Sequence, residues 1–166
     1  MKTPPVELPV KTDNGEFLAR YSETGLVGLD FPKVGRASSR AAKRKIVPTK
    51  IRGWHKLTEA ALKNILAGRD AKKLPPLDWT GKTKFQKSVW RALLKTSPSK
   101  TKSYGEIAAT IGKPKAVRAV GGACGANPIP VLVPCHRVLA ANKKPGGFSG
   151  GLSWKRILLA REGVRI

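Results

Sequence analysis

Cys135 and His136 stand side by side in the run Pro134-Cys135-His136-Arg137, and a cysteine next to an imidazole is the smallest unit of thiol chemistry a chain can carry. The thiolate is the nucleophile, and a free thiol with a pKa of about 8.5 is little ionised at neutral pH. His136, Arg137 and a basic surround favour the ionised form. Adjacent residues of a regular strand point to opposite faces, so the pair can cooperate only if the backbone turns, which Pro134 permits. The competing reading is structural, with Cys135 a small buried hydrophobe and His136 a satisfied core histidine. Cys124 falls on the apolar side of a helix without a base nearby and keeps the structural reading. Two cysteines are too few for a disulfide framework or a four-thiolate zinc site, and fit a reducing compartment.

The acids are scarce where this chemistry sits. The 166 residues carry 33 Lys and Arg against 10 Asp and Glu, a net charge of +23. From Trp79 onward only Glu106 and Glu162 are acidic, against seventeen Lys and Arg. So positive a chain repels itself when compact, and its usual compensation is a polyanion. Nucleic acid leads; a membrane-surface or ribosome-associated role is the alternative. No run approaches the ~20 apolar residues of a membrane helix, and the start Met1-Lys2-Thr3-Pro4-Pro5 has no apolar stretch behind its charge. A soluble, intracellular protein is expected.

Two units should position these groups. Glu16–Tyr21 and Leu26–Phe31 read as an antiparallel hairpin turning at Thr24-Gly25. Between Asp30 and Glu59 nine basic residues and no acid mark a basic, partly flexible connector over about 33–56. Leu57–Leu66 has helical spacing, with Thr58 as cap and Gly68 as stop. Leu74-Pro75-Pro76-Leu77 sets a boundary, giving an N-terminal α/β unit, 1–78, and a C-terminal unit, 79–166. The second opens with Phe85, Val89, Trp90, Leu93 and Leu94 on one helix face. Ser103-Tyr104-Gly105-Glu106 is a capping box that explains Glu106 structurally. Its helix should stop at Gly112, with Pro114 in the first turn of the next, through Ala116, Val117, Ala119, Val120 and Ala123. Lys113, Lys115 and Arg118 give this pair the outline of a helix-turn-helix, or of a plain helical hairpin with a basic face. Ile129–Val133 is expected to be buried and extended.

Several of these motifs together resemble a known family. Asn127-Pro128-Ile129-Pro130-Val131-Leu132-Val133-Pro134-Cys135-His136-Arg137-Val138 looks like the active-site signature of the O6-alkylguanine-DNA alkyltransferases. Phe85-Gln86-x-x-Val89-Trp90-x-Ala92-Leu93, Ser103–Ala108, Arg118–Ala123, Phe148-Ser149-Gly150-Gly151-Leu152 and Leu158–Gly163 are similar in order and spacing. The match covers 79–166; before that it is limited to the Leu18–Pro32 hairpin.

The resemblance implies an α/β (α+β) fold: a small RNase H-like N-terminal domain with an antiparallel sheet, and a mainly helical, winged-helix-like C-terminal domain containing the helix-turn-helix. It implies irreversible transfer of an alkyl group from O6 of guanine in duplex DNA to Cys135, once per molecule, because a thioether is a poor leaving group for water. His136 would draw the Cys135 proton through a water, and Glu162 would hold the imidazole's tautomer. Tyr104 would protonate the departing guanine, and Asn127 would tie the recognition helix to the active-site loop. The base must flip out of the stack; Arg118 would fill its place, with Tyr104, Gly105, Lys113, Ala119 and Gly121 meeting DNA in the minor groove. Pro130, Val138 and the Gly146-Gly147-Phe148-Ser149-Gly150 loop would wall the pocket.

The chain departs from the family at Phe148, where a tyrosine is common, and at Ala141, a DNA-contacting serine in some relatives. It also lacks the cysteines of the zinc site some relatives carry, so no metal and no cofactor are expected. The expected protein is a monomer acting on double-stranded DNA containing O6-alkylguanine, away from membranes, in the cytoplasm with the nucleoid, or in the nucleus of a eukaryote. Against this stand a silent sensor of alkylated DNA, a basic helix-turn-helix DNA-binding protein and a turning-over Cys-His-Glu hydrolase. Cys135 argues against the sensor, since non-transferring relatives replace it.

Overall fold

A computed structural model describes residues 3–35 and 46–166. Strands β1 (Val6–Thr12), β2 (Gly15–Tyr21) and β3 (Leu26–Asp30) form an antiparallel sheet in the order β1-β2-β3. Alternation along β2 turns Phe17, Ala19 and Tyr21 inward. The hairpin expected over β2 and β3 is present, and β1 extends it through pairs running from Val6–Tyr21 to Thr12–Gly15. Pro9 masks β1 in the sequence, but a proline is tolerated on this edge strand.

Helix α1 (Thr49–Leu66) crosses the sheet with Ile51, Thr58, Ala61, Leu62, Ile65 and Leu66 buried. It begins eight residues earlier than Leu57. Thr58 is no cap: its hydroxyl donates to Trp54 O at 3.0 Å and accepts from Tyr21 at 2.8 Å. The apolar stripe continues backward through Trp54 and Ile51, interleaved with the basic residues that suggested a connector. Of that connector, 49–56 is therefore helix, while 36–45, which includes the basic run Lys43-Arg44-Lys45, lies outside the described residues.

The C-terminal part opens with helices α2 (Lys84–Leu94), α3 (Tyr104–Thr110) and α4 (Val117–Gly125). Val89, Trp90 and Leu93 of α2 are buried, and the Trp90 indole donates to Ala123 O at 2.9 Å. The Ser103–Glu106 capping box forms as expected. Pro114 is not helical; Lys113–Ala116 is a turn closed by Ala116 N on Lys113 O at 2.8 Å, which carries Lys113 and Lys115 and leaves Arg118 on α4. Ile129–Val133 is buried but not extended: Val131 takes φ 74° and Val133 N bonds Ile129 O at 2.9 Å. The chain then makes a 3₁₀ turn over Cys135–Arg137, pairs short strands β4 (Lys102–Ser103) and β5 (Val138–Leu139) in parallel, and ends in α5 (Leu152–Arg161).

One hydrophobic core runs through both parts. Phe31, after β3, packs against Trp154 of α5 and against Phe148, with ring centroids 5.1 and 5.6 Å away. The two long ends meet as well: Arg161 donates to Leu66 O at 2.7 Å, and Gly68, at φ 75°, leaves no room for a side chain beside Arg161 O. Gly68→Ala is expected to cost about 2 kcal/mol or more from left-handed strain and the clash. Gly53→Ala, on the exposed face of α1 with open space around it, should add about 0.5–1 kcal/mol of helix propensity. Urea unfolding midpoints should move in opposite directions for the two.

Candidate active site

The turn that the cysteine and histidine require is present. Pro134 precedes one 3₁₀ turn, Cys135 N bonds Val133 O at 2.8 Å, and consecutive side chains fan out around the turn. Cys135 is almost wholly buried, and its Sγ accepts a hydrogen bond from Asn127 Nδ2 at 3.2 Å. Asn127 also donates to Val133 O at 2.9 Å and accepts from Ile129 N at 3.0 Å, so it fixes the bend that presents the thiol.

His136 points into the core. Its Nε2 lies 2.9 Å from Glu162 Oε1, at the end of α5. Arg137 grips the same carboxylate, Nη2 to Oε1 at 2.8 Å and Nε to both oxygens at 3.1 Å, and its Nη1 caps Thr96 O at 2.6 Å. Burial pushes the Glu162 carboxyl up, but the hydrogen bonds and charges of His136 and Arg137 outweigh it and hold the group below its usual range. An ionised carboxylate only accepts, so the imidazole proton sits on Nε2 and the Nδ1 lone pair is left free. Nδ1 is buried and has no hydrogen-bond partner among the described residues. Burial lowers the His136 pKa, which keeps that lone pair available.

Arg137 corrects one expectation. It turns to Glu162, away from the thiol, and burial pushes the Cys135 pKa up despite the Asn127 bond and the nearby Lys155 charge. The resting side chain is a thiol, with the imidazole next to it in the same 3₁₀ turn of the chain.

A cavity of about 320 Å³ opens next to Cys135, lined by Tyr104, Gly121, Cys124, Gly125, Gly147, Phe148 and Ser149. Tyr104, at the start of α3, is close enough to Gly146 that a Cβ there would meet its hydroxyl at 2.7 Å. Of the expected pocket residues, Phe148 and Ser149 line the cavity. Pro130 and Val138 are buried outside its lining, and Gly150 packs against the Phe31 ring. Gly105 is half-buried; Lys113, Arg118 and Ala119 are exposed along the α3–α4 turn and the start of α4. Ala141 is exposed too. Cys124 is buried with its pKa pushed up to about 12, an unreactive thiol, although it shares the cavity.

Lys155 was not singled out in the sequence. Lys155 carried a signal: it shares the stripe of Leu158, Leu159 and Glu162, at i, i+3, i+4 and i+7, and so falls on the buried face of α5. The larger cleft, about 940 Å³ between the β1–β2 turn, α1 and Arg161, contains neither cysteine.

A cysteine bonded by an asparagine, next in sequence to an oriented imidazole and open to a cavity beside two short helices, has the make-up of a thiol-nucleophile site. The family model of the 6-O-methylguanine DNA methyltransferase DNA-binding domain matches residues 84–164. The methylated-DNA–protein-cysteine methyltransferase of Methanosarcina acetivorans is 56% identical over 81 residues, 49% of this chain and 52% of that protein. The chain spans about half the length of the curated relatives it matches. Similarity to solved structures runs further. The Mycobacterium tuberculosis OGT in complex with DNA is 37% identical over 93% of this chain and 90% of that one, with a TM-score of 0.71. The O6-methylguanine methyltransferase of the same organism is 34% identical over 98% and 94%, with a TM-score of 0.72. The chain belongs to the O6-methylguanine DNA methyltransferase family.

Glu162→Gln leaves buried Arg137 without its counter-charge and should cost about 3–5 kcal/mol at pH 7. His136 and Glu162 are both shifted down, so on acidification the unfolded chain binds more protons than the folded one. The stability they confer is complete above the ordinary histidine value of 6.5 and is lost as pH falls, through His136 first and, below 4.5, through Glu162. Urea midpoints between pH 3 and 8 should show the loss, with the limb below 4.5 flattened in Glu162→Gln.

Proposed function

We propose that this protein repairs duplex DNA by moving an alkyl group from O6 of guanine irreversibly onto Cys135, one turnover per molecule. The observation that carries this reading is the buried relay ending at the cavity: Arg137 fixes Glu162, Glu162 fixes the His136 tautomer, and Asn127 holds the Cys135 thiol. His136 Nδ1 takes the thiol proton through a water. The thiolate sulfur attacks the alkyl carbon, the carbon–oxygen bond breaks, and Tyr104 gives its proton to the leaving guanine. A thioether and guanine remain, and neither supplies a route back.

DNA enters on the α3–α4 face. Lys113 supplies phosphate attraction, Arg118 fills the stack vacated by the flipped base, and the small Ala119 and Gly121 let the backbone come close. Phe148 offers the base a stacking face without a hydroxyl, and Ser149 with its loop reads the guanine edge. The reading includes the division at 78/79 into an RNase H-like N-terminal domain and a winged-helix-like C-terminal domain. It also includes action as a monomer, without metal or cofactor, in the cytoplasm with the nucleoid or in a eukaryotic nucleus.

Incubation with an O6-methylguanine duplex should add one methyl to Cys135, saturating at one per chain by intact mass. No adduct would leave a silent sensor or a plain DNA-binding protein; continued turnover would leave a hydrolase. Cys135→Ser should lose the adduct and keep DNA binding. Tyr104→Phe should slow transfer by about 10²-fold or more, the range of a lost general acid. Arg118→Ala should impair repair in duplex DNA more than in single strands, and equal rates on the two would remove the finger assignment.

A further inference from the structure

Lys155 is wholly buried, yet among the described residues no carboxylate pairs with it. Its Nζ donates to Val138 O at 2.6 Å and to Gly147 O at 3.3 Å. Val138 lies three residues beyond Cys135, and Gly147 lines the same cavity as Cys135. Glu162, the buried carboxylate on the same helix, is taken by Arg137 and His136. Around the ammonium stand Cys135 from the 3₁₀ turn, Cys124 from α4 and, with an imidazole held neutral, His136. Asn127 and Tyr104 complete the surround of the Cys135 sulfur. A buried cation requires hydrogen bonds and an opposing charge. Here the groups able to become that charge are the two thiols, both pushed up by burial, and Cys135 is the one whose sulfur accepts a hydrogen bond from Asn127.

We propose that Lys155 is a positioning residue for the transfer. Its ammonium is the fixed counter-charge against which the Cys135 thiolate forms, and its two hydrogen bonds tie the carbonyl of Val138, after the reactive turn, to that of Gly147 in the cavity lining. This rests on Cys135 as acceptor and adds what the His136 relay leaves out. The base removes the proton, but Arg137 is committed elsewhere, so the charge left on sulfur is met by Lys155. Once Cys135 carries an alkyl group the sulfur is neutral at every pH, and the ammonium keeps only its carbonyl partners.

The test compares wild type, Lys155→Met and Lys155→Arg for the rate at which iodoacetamide alkylates Cys135 across pH 6–10, with the adduct located by peptide mass. Lys155→Met should move the Cys135 profile up by about one pH unit or more, the lower end of what a close opposite charge does. Lys155→Arg should restore most of it. A Lys155→Met protein with lowered thermal stability but an unmoved profile would reduce Lys155 to a structural tie and overturn the proposal. Should Lys155→Met not fold, wild type decides by NMR titration of the lysine side chain before and after S-methylation of Cys135. Loss of the Lys155 proton at lower pH in the methylated protein supports the proposal; identical titrations overturn it. Methyl transfer from O6-methylguanine duplex by wild type is scored separately, so a failed acceptor reading is not confused with a failed Lys155 reading.

Discussion

The Glu162 carboxylate, buried and shared between His136 and Arg137, is the interaction on which the rest depends. A carboxylate this far from water is costly unless every lone pair is used, and here a guanidinium fork and an imidazole use them. That requirement fixes geometry at both ends. It pins the last turn of α5 to the 3₁₀ turn that carries the thiol, and through Arg137 Nη1 it reaches the end of α2 at Thr96 O. The residue before it, Arg161, ties the same turn to α1 and to Asn14 in the β1–β2 turn. Helix α5 thus acts as a strut between the N-terminal sheet and the reactive turn, and Phe31 against Trp154 closes its other end.

Spending Arg137 on Glu162 has a consequence for sulfur. A surface cysteine in so basic a protein would ionise readily and meet oxidants; Cys135 is instead kept a thiol by burial and bonded by Asn127. On the proposed reading, ionisation is then deferred to the moment when a proton acceptor and a buried cation act together at the cavity. For an acceptor used once, unproductive alkylation is an irreversible loss of the molecule, and a low resting reactivity is the physical counterpart of single use on the proposed reading.

Parts of this arrangement were legible in the sequence for local reasons. The Ser103–Glu106 box, the α2 face and the Gly68 stop are short-range patterns, and they form as read. The Cys135-His136 pair could be read, but its geometry depended on a backbone turn that only tertiary contacts enforce. Val131, a β-branched residue at positive φ, shows the limit: its preference is extended, and Asn127 bonding Ile129 N and Val133 O bends the run against it. The start of α1 was hidden because basic residues interleave with its buried stripe, so charge was read where packing decides. Lys155 was hidden the opposite way, as one more lysine in a chain of 33 Lys and Arg, although its place on the α5 stripe is apolar.

The scarcity of acids connects the buried site to the surface. After Trp79 the two carboxylates are both engaged locally, Glu106 with the Ser103 cap beside Lys102 and Glu162 in the core, so among the described residues neither pairs with a basic residue of the α3–α4 turn. Lys113, Lys115 and Arg118 therefore stand exposed around the α3–α4 turn, next to a helix face where Gly121 and Gly122 have open space beyond their Cα atoms. A charged rim around a side-chain-poor face attracts a polyanion through counterion release, independent of sequence and sensitive to salt, and lets its backbone approach closely. The same economy that reserves Glu162 for the histidine leaves this rim uncompensated, so the reactive turn and the surface through which a strand would reach it arise from one distribution of charge.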